Sequence, residues 1–276
     1  MYSEDDLEDL RKAGRVAEAI LTKIGTMIVP GRKIADLADI IEKTIRSSDS
    51  MMPAFPSCIS VNDMAAHDSA AIIERRLVPE NGVVKVDLGV SVNGNIVDTA
   101  RTFGVGEFSY GLIESSEAAL IAAIEIIRDG VKISEVGKVI QNVIESFKLT
   151  PVRNLTGHSI ERGILHAGIS IPNVASSMGI FGERKLKSGM LIAVEPFATE
   201  GNDGYVIDAP GREPLIFSAK QRPKTPLGKA LWREYRQLPF STRNAARFLN
   251  IPLEERYNAI DRAASLEHWN RYPPLL

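Results

Sequence analysis

Val83-Val-Lys-Val-Asp87-Leu-Gly-Val90 and Asn95-Ile-Val-Asp98-Thr-Ala-Arg-Thr-Phe103 read as two strands, with Asn93-Gly94 between them as the turn signal of a hairpin. If Asn93 and Gly94 are the two central turn residues, Asp98 lies opposite Gly89 and Asp87 opposite Ala100. The two carboxylates then share one face as diagonal neighbours, roughly 7–8 Å apart at Cα. A four-residue loop would set them directly opposite, and only a one-residue slip would separate them. Aspartate is a poor strand former. One such residue is ordinarily a strand cap or a solvent-facing side chain. Two on one face repel unless a proton or cation lies between them, and they point to a metal.

Other donors stand further along the chain. In Gly157-His158-Ser-Ile-Glu-Arg-Gly163-Ile-Leu165-His166-Ala-Gly168 the two imidazoles are an even number of residues apart, so one continuous strand over Thr156–Ser170 would put them on a common face. A loop at Gly163 would break that relation. A lone strand histidine is more often structural, but the small residues around both leave space for a further group. Glu195 ends the strand-like Met190–Ala198 after Leu191-Ile-Ala-Val194, and a carboxylate on a buried strand needs a partner. Asp, Asp, His and Glu form a hard donor set that suits Mn, Fe, Co or Zn in a carboxylate-bridged site better than a structural zinc site. Two ions roughly 3.5–4 Å apart hold a hydroxide and polarise a carbonyl, which is hydrolase chemistry. No Gly-x-Ser-x-Gly, P-loop or dinucleotide fingerprint competes, and Cys58 has no nucleophile signature around it.

Amphipathic helices precede each donor region. Leu7–Met27, closed by Pro30-Gly31, and Ile34–Ile45 come first; Leu112–Ile127 and Ile133–Phe147 follow. Gly31-Arg-Lys33-Ile34-Ala-Asp36-Leu37 is echoed by Gly130-Val-Lys132-Ile133-Ser-Glu135-Val136. The same spacing relates Ile41 and Ile45 to Ile140 and Ile144, and His67 to His166. Gly82-Val-Val-Lys-Val-Asp87 has its counterpart in Gly189-Met-Leu-Ile-Ala-Val194-Glu195. Chance accounts for similar helices, but poorly for matched histidines and strand-end carboxylates. The pattern predicts a duplicated helix-pair-then-strands unit.

Beyond Ser218 the texture changes to short helices over Pro226–Tyr235, Pro239–Phe248 and Pro252–Ala264. The segment 219–272 carries eleven Lys or Arg against five Asp or Glu, in a chain of 276 residues whose net charge is −2. A solvated surface is the ordinary reading of such a segment, and contact with RNA or the ribosome the functional one. Overall composition, 44% hydrophobic and 25% charged, is that of a globular protein with a large core. A single cysteine excludes a disulfide framework, no apolar run is long enough for a bilayer, and the acidic N-terminus is unlike a signal peptide. A cytoplasmic location is expected, with neither membrane nor DNA as a partner.

These motifs resemble the type 2 methionine aminopeptidases of the archaeal kind. The resemblance rests on Pro53-Ala-Phe-Pro56, Ala65-Ala-His67, Val86-Asp87-Leu-Gly89, Asp98-Thr-Ala100, Asn154-Leu-Thr-Gly-His158-Ser-Ile160, Leu165-His-Ala-Gly168 and Val194-Glu-Pro-Phe-Ala198, and spans essentially the whole chain. It implies an α/β (α+β) pita-bread fold with two pseudo-symmetric halves and a helical insertion. The corresponding division is a catalytic domain over 1–218, with halves 1–110 and 111–218, and an inserted subdomain over 219–272; 273–276 would begin further C-terminal strands. The resemblance also implies two divalent ions held by Asp87, Asp98, His158 and Glu195, with Asp98 bridging. His67 and His166 would bind the scissile amide, and Phe55, Leu165 and Phe197 would line the methionine pocket. A metal-bridging hydroxide would attack the first peptide bond of a nascent polypeptide, Glu195 would shuttle the proton, and a small second residue would be preferred. A transient contact with the ribosome would fit such a substrate.

One departure stands out. The family's fifth ligand, a glutamate on a strand after the insertion, has no counterpart before Leu276. Glu267 lacks the strand context and His268 matches no family role, so a surface position is expected for it. The expectation is therefore a C-terminally incomplete chain of an active enzyme, which alone would bind metal weakly. Two competing functions are an Xaa-Pro peptidase of the same fold and a non-catalytic RNA- or ribosome-binding protein. Cleavage of Met-Ala-Ser separates the first from the expected activity, and alanine at Asp98 separates the second.

Overall fold

Ser3 starts the first helix by a reciprocal cap: its Oγ accepts from the Asp6 N–H while the Asp6 carboxylate accepts from the Ser3 N–H. The helix, α1 (Glu4–Gly25), therefore begins before Leu7, with Glu4, Asp5 and Asp6 at its positive end and Lys23 at its negative end. It stops at Gly25, short of the expected Met27. In this computed structural model, which describes residues 2–175 and 183–276, α2 (Ile34–Ile45) follows, then the strands β1 (Met51–Val61), β2 (Gly82–Val92) and β3 (Asn95–Val105). The three strands form one antiparallel sheet in the order β1-β2-β3.

Period-2 alternation sorts the two faces of β2. Val84, Val86, Leu88 and Val90 are fully buried in a core with Leu21 and Ile24 of α1 and Leu37, Ile41 and Ile45 of α2. Lys85, Asp87 and Gly89 consequently occupy the opposite face. Asn93 and Gly94, at φ 50° and 90°, make the two-residue turn, and Val92 pairs with Asn95. Asp6 also fastens this turn region, accepting from Asn95 Nδ2 at 3.0 Å and pairing with Arg162 at 3.3 Å. The N–H donors of Ser3 and Asn95 hold its carboxyl down at about 2.

The chain groups into two compact units. One comprises Ser3–Glu107, Arg162–Ile164 and Asp208–Leu276; the other is built of Phe108–Glu161 and Leu165–Ile207. The second repeats the order of the first. Helices α3 (Tyr110–Ile126) and α4 (Ile133–Ser146) precede β4 (Thr150–Pro151), β5 (Thr156–Ile160), β6 (Ser170–Pro172), β7 (Leu191–Ala193) and β8 (Ala198–Thr199). Here Ile133, Val136, Ile140 and Ile144 of α4 bury against Ala119 and Ala123 of α3 and against Ile171. The sheet order is β6-β5-β7, with β4 and β8 as a separate pair.

Two expected strands are broken. Thr156–Ser170 is β5, a loop and β6, because Gly163 (φ 73°) and Gly168 (φ 89°) turn the chain through the left-handed region. Met190–Ala198 splits into β7 and β8 around Glu195-Pro196, since proline cannot donate to a ladder.

The segment from Asp208 onward belongs to the first unit and mixes strands with its helices. Its elements are β9 (Ile216–Ser218), α5 (Pro226–Tyr235), β10 (Phe240–Ser241), α6 (Thr242–Ala246), α7 (Leu253–Leu266) and β11 (Asn270–Tyr272). The expected helix over Pro239–Phe248 starts at Thr242 because Ser241 caps it with Asn244, leaving Phe240 and Ser241 to pair with β9. Phe217, Phe240, Tyr235 and Trp269 form its aromatic centre, the Phe240 and Trp269 rings meeting edge to face at 5.2 Å. No helix among the described residues is long and apolar enough to cross a membrane.

Candidate metal centre

The hairpin carries the first pair of donors. Gly89 pairs with Asp98 and Asp87 with Ala100, the two-residue register, so both carboxylates are diagonal neighbours on the face turned away from α1 and α2. Both are half-buried. β1 adds Cys58 opposite Asp87 and Phe55 opposite Gly89. Gly89 has a steric reason: a Cβ there would run into the Phe55 ring. Phe55 and Cys58 are buried on this face, and burial together with the nearby Asp87 and Asp68 charges pushes the Cys58 thiol well above its ordinary range.

His67 belongs to the same unit and adopts φ 59°. Its Nδ1 lies 3.2 Å from the Pro273 carbonyl oxygen, and its ring meets Tyr272 edge-on at 5.6 Å. A carbonyl only accepts, so Nδ1 is the protonated nitrogen and Nε2 keeps its lone pair. Burial lowers the tendency of this imidazole to take a second proton, offset in part by the Pro273 contact.

The second unit carries donors of its own. His158, on β5, points Nδ1 at the Ser159 carbonyl oxygen 3.3 Å away. With the proton on Nδ1, Nε2 is a lone-pair donor. Nε2 in turn faces Glu195 Oε1 at 3.3 Å. Two electron-pair donors directed at one another are stable only with a proton or a cation there. An imidazole that gives its other N–H to a backbone carbonyl is the usual second-shell arrangement of a metal-bound histidine. This donor chemistry fits a divalent transition ion. His166 stands in the loop after β5, not on a shared strand, yet its ring lies 4.4 Å from that of His158. Leu165 beside it is buried and Phe197 half-buried.

The segment 8–220 matches the sequence profile described as metallopeptidase family M24. The chain belongs to metallopeptidase family M24. It is 40% identical over 245 residues to the methionine aminopeptidase of Thermococcus onnurineus, covering 87% of this chain and 81% of that protein. Against the methionine aminopeptidase of Saccharolobus solfataricus it is 34% identical over 282 residues, covering 99% and 90%. Among solved structures, the methionine aminopeptidase of Thermotoga maritima superposes with a TM-score of 0.68 at 27% identity, covering 76% of this chain and 85% of that one. The M24 pita-bread fold and its divalent-metal chemistry thus apply to this chain.

Glu267 and His268 have other settings in this M24 chain. Glu267 follows α7 and accepts from the backbone N–H groups of Lys224 and Thr225 just ahead of α5. Its slight burial pushes the carboxyl up, but these hydrogen bonds outweigh that and hold it below the ordinary range. His268 is exposed, at φ 52°. The structure also shows a polar cluster that sequence reasoning missed, around Asp68, Arg76 and Arg212.

Gly157 offers a direct check on how tightly the second pair of donors is built. A Cβ there would overlap the Ala193 carbonyl oxygen and lie 3.2 Å from the Glu195 nitrogen. Gly157→Ala is expected to cost about 1–3 kcal/mol in urea unfolding. It should also weaken Mn²⁺ binding in calorimetry, because the backbone carrying Glu195 must move away from β5.

Proposed function

We propose that this protein removes the initiator methionine from nascent polypeptides as a metal-dependent methionine aminopeptidase acting in the cytoplasm. The observation that carries the reading is similarity to methionine aminopeptidases over four-fifths or more of their length. Supporting it are the donor groups of this chain: two aspartates on one hairpin face, and an imidazole directed at a glutamate.

In this reading Asp87, Asp98, His158 and Glu195 would hold the divalent metal. Bound divalent ions, Co, Mn, Fe or Zn, would activate water and polarise the scissile carbonyl. The remaining work falls to the protein. Nδ1 of His67 is committed to the Pro273 carbonyl, so Nε2 is available to accept from the amide N–H of the substrate. His166 donates to the oxygen that gains charge as the carbonyl is attacked. Glu195 carries the proton to the departing amine. Phe55, Leu165 and Phe197 enclose the methionine side chain, and a confined entrance selects small second residues.

The basic segment extends the reading to the ribosome. Lys220, Arg222, Lys224, Lys229, Arg233 and Arg236 are all exposed, and α5 carries two of them, Lys229 and Arg233. Such a surface suits transient contact with phosphate near the point where nascent chains emerge.

Methionine release from Met-Ala-Ser, measured with Mn²⁺ or Co²⁺ supplied, tests the activity. Cleavage at least about 100-fold better than that of an Xaa-Pro dipeptide is expected. Preferential Xaa-Pro cleavage would make the protein a proline-directed peptidase, and cleavage of neither would favour a binding protein.

A further inference from the structure

Asp68 follows His67 in sequence, and its carboxylate is fully buried. Two guanidinium groups reach it: Arg76 Nη1, and Arg212 Nη2 at 2.9 Å, from a residue 144 positions away. Arg76 also pairs with Glu74 at 2.7 Å, and Glu74 accepts from the Ala71 N–H. The cluster is thus two carboxylates and two guanidiniums, balanced in charge. A buried carboxylate without such partners would be strongly destabilising, so this arrangement pins Asp68 to one place.

The backbone on either side of His67 is pinned as well. Ala65 N–H donates to the Leu275 carbonyl at 2.7 Å, and Leu275 N–H donates back to Ala66 at 3.0 Å. Lys85 Nζ donates to the Ala65 carbonyl. On the far side, Ile59 N–H donates to the Asp68 carbonyl at 3.0 Å, and Cys58 bridges Ser69. Between these ties stands a histidine in the left-handed region, a conformation that non-glycine residues adopt infrequently. Arg212 and Leu275 both come from the 208–276 segment, which also supplies the Pro273 carbonyl and the Tyr272 ring that contact the imidazole.

We propose that Asp68, gripped by Arg76 and Arg212, is a positioning residue that holds His67 in its left-handed backbone and aims Nε2 at the substrate. The inference rests on the reading of His67 as a substrate-contacting residue.

The test uses the full chain supplied with Mn²⁺, with Met-Ala-Ser as substrate. Arg212 is partly exposed, so Arg212→Met is the first variant and Arg212→Lys its conservative control; Asp68→Asn is the second site. Arg212→Met is expected to lower kcat/KM about 10- to 100-fold, with Arg212→Lys recovering part of the loss. Within a His67→Ala background the same Arg212→Met change should cost less than about twofold, because the residue through which it acts is gone. Independently of turnover, ¹⁵N spectra of the histidine rings should show Nδ1-protonated His67 in the parent and loss of that single tautomer in Arg212→Met and Asp68→Asn. Equal losses in both backgrounds, or an unchanged His67 ring signal in the variants, would overturn the proposal. Full activity in His67→Ala would instead overturn the substrate-contact reading on which it stands, and the proposal with it.

Discussion

Asp98→Asn is expected to lower kcat/KM for Met-Ala-Ser by about 10³-fold while leaving the fold intact. The substitution is nearly isosteric, at a half-buried position opposite Gly89 on the face of the hairpin turned away from α1 and α2. What changes is charge: an anionic carboxylate oxygen becomes a weakly donating amide. Calorimetric titration with Mn²⁺ should show the cause as a loss of affinity, and far-UV circular dichroism should be unchanged. Stability offers a second sign. Without metal, Asp87 and Asp98 repel as diagonal neighbours, so metal-free Asp98→Asn should unfold at the same urea concentration as its metal-free parent or a higher one. Added Mn²⁺ should reverse the order, because it stabilises only a state that binds it. A variant as active as the parent would refute the assignment of Asp98, and a protein that acted solely by binding RNA would be indifferent to the change.

The parts of this architecture legible in sequence are those dictated by short-range rules. The Asn93-Gly94 turn has both residues at positive φ, and that local fact sets the register of eleven-residue strands and brings Asp87 and Asp98 onto one face. Period-3.6 patterning gave α2 its observed limits, Ile34 and Ile45, and placed α4 within one residue. Short-range rules did not reveal how His158 and His166 meet. Even spacing suggested a shared strand, whereas the chain turns at Gly163 and Gly168 and brings the two rings together from a strand and a loop. Glu195 reads as a strand end, but Pro196 takes it out of the ladder. The remaining features depend on partners far apart in sequence. Arg212 and Asp68 are 144 residues apart, and Glu267 serves the backbone of Lys224 and Thr225 some forty residues earlier. Nothing in the local composition of those stretches marks the pairs. The short strands β9, β10 and β11 are hidden for a similar reason, since two or three residues are too few to show alternation against the helical texture around them.

Glu195→Gln should be nearly as damaging as the loss of Asp98, and for a distinguishable reason. In the parent, Glu195 Oε1 lies 3.3 Å from His158 Nε2, and the other ring nitrogen faces the Ser159 carbonyl. The amide retains the shape of the carboxylate but has neither its charge nor its ability to carry a proton. Two effects should therefore add: weaker metal binding and a slower proton transfer to the leaving amine. Treating the parent with a chelator should abolish methionine release, and Mn²⁺ or Co²⁺ added in excess should restore it. Glu195→Gln given the same excess should stay about 10²- to 10³-fold below the restored parent in kcat, even where calorimetry shows the metal bound. Recovery to parental kcat at saturating metal would mean that Glu195 serves only as a ligand, and the proton-carrying role would have to pass to another group. Because ligation requires a neutral imidazole, metal affinity in the parent should fall as the solution is made acidic. A calorimetric series from neutral to mildly acidic pH reads that slope directly, and a pH-independent affinity would count against His158 as a ligand.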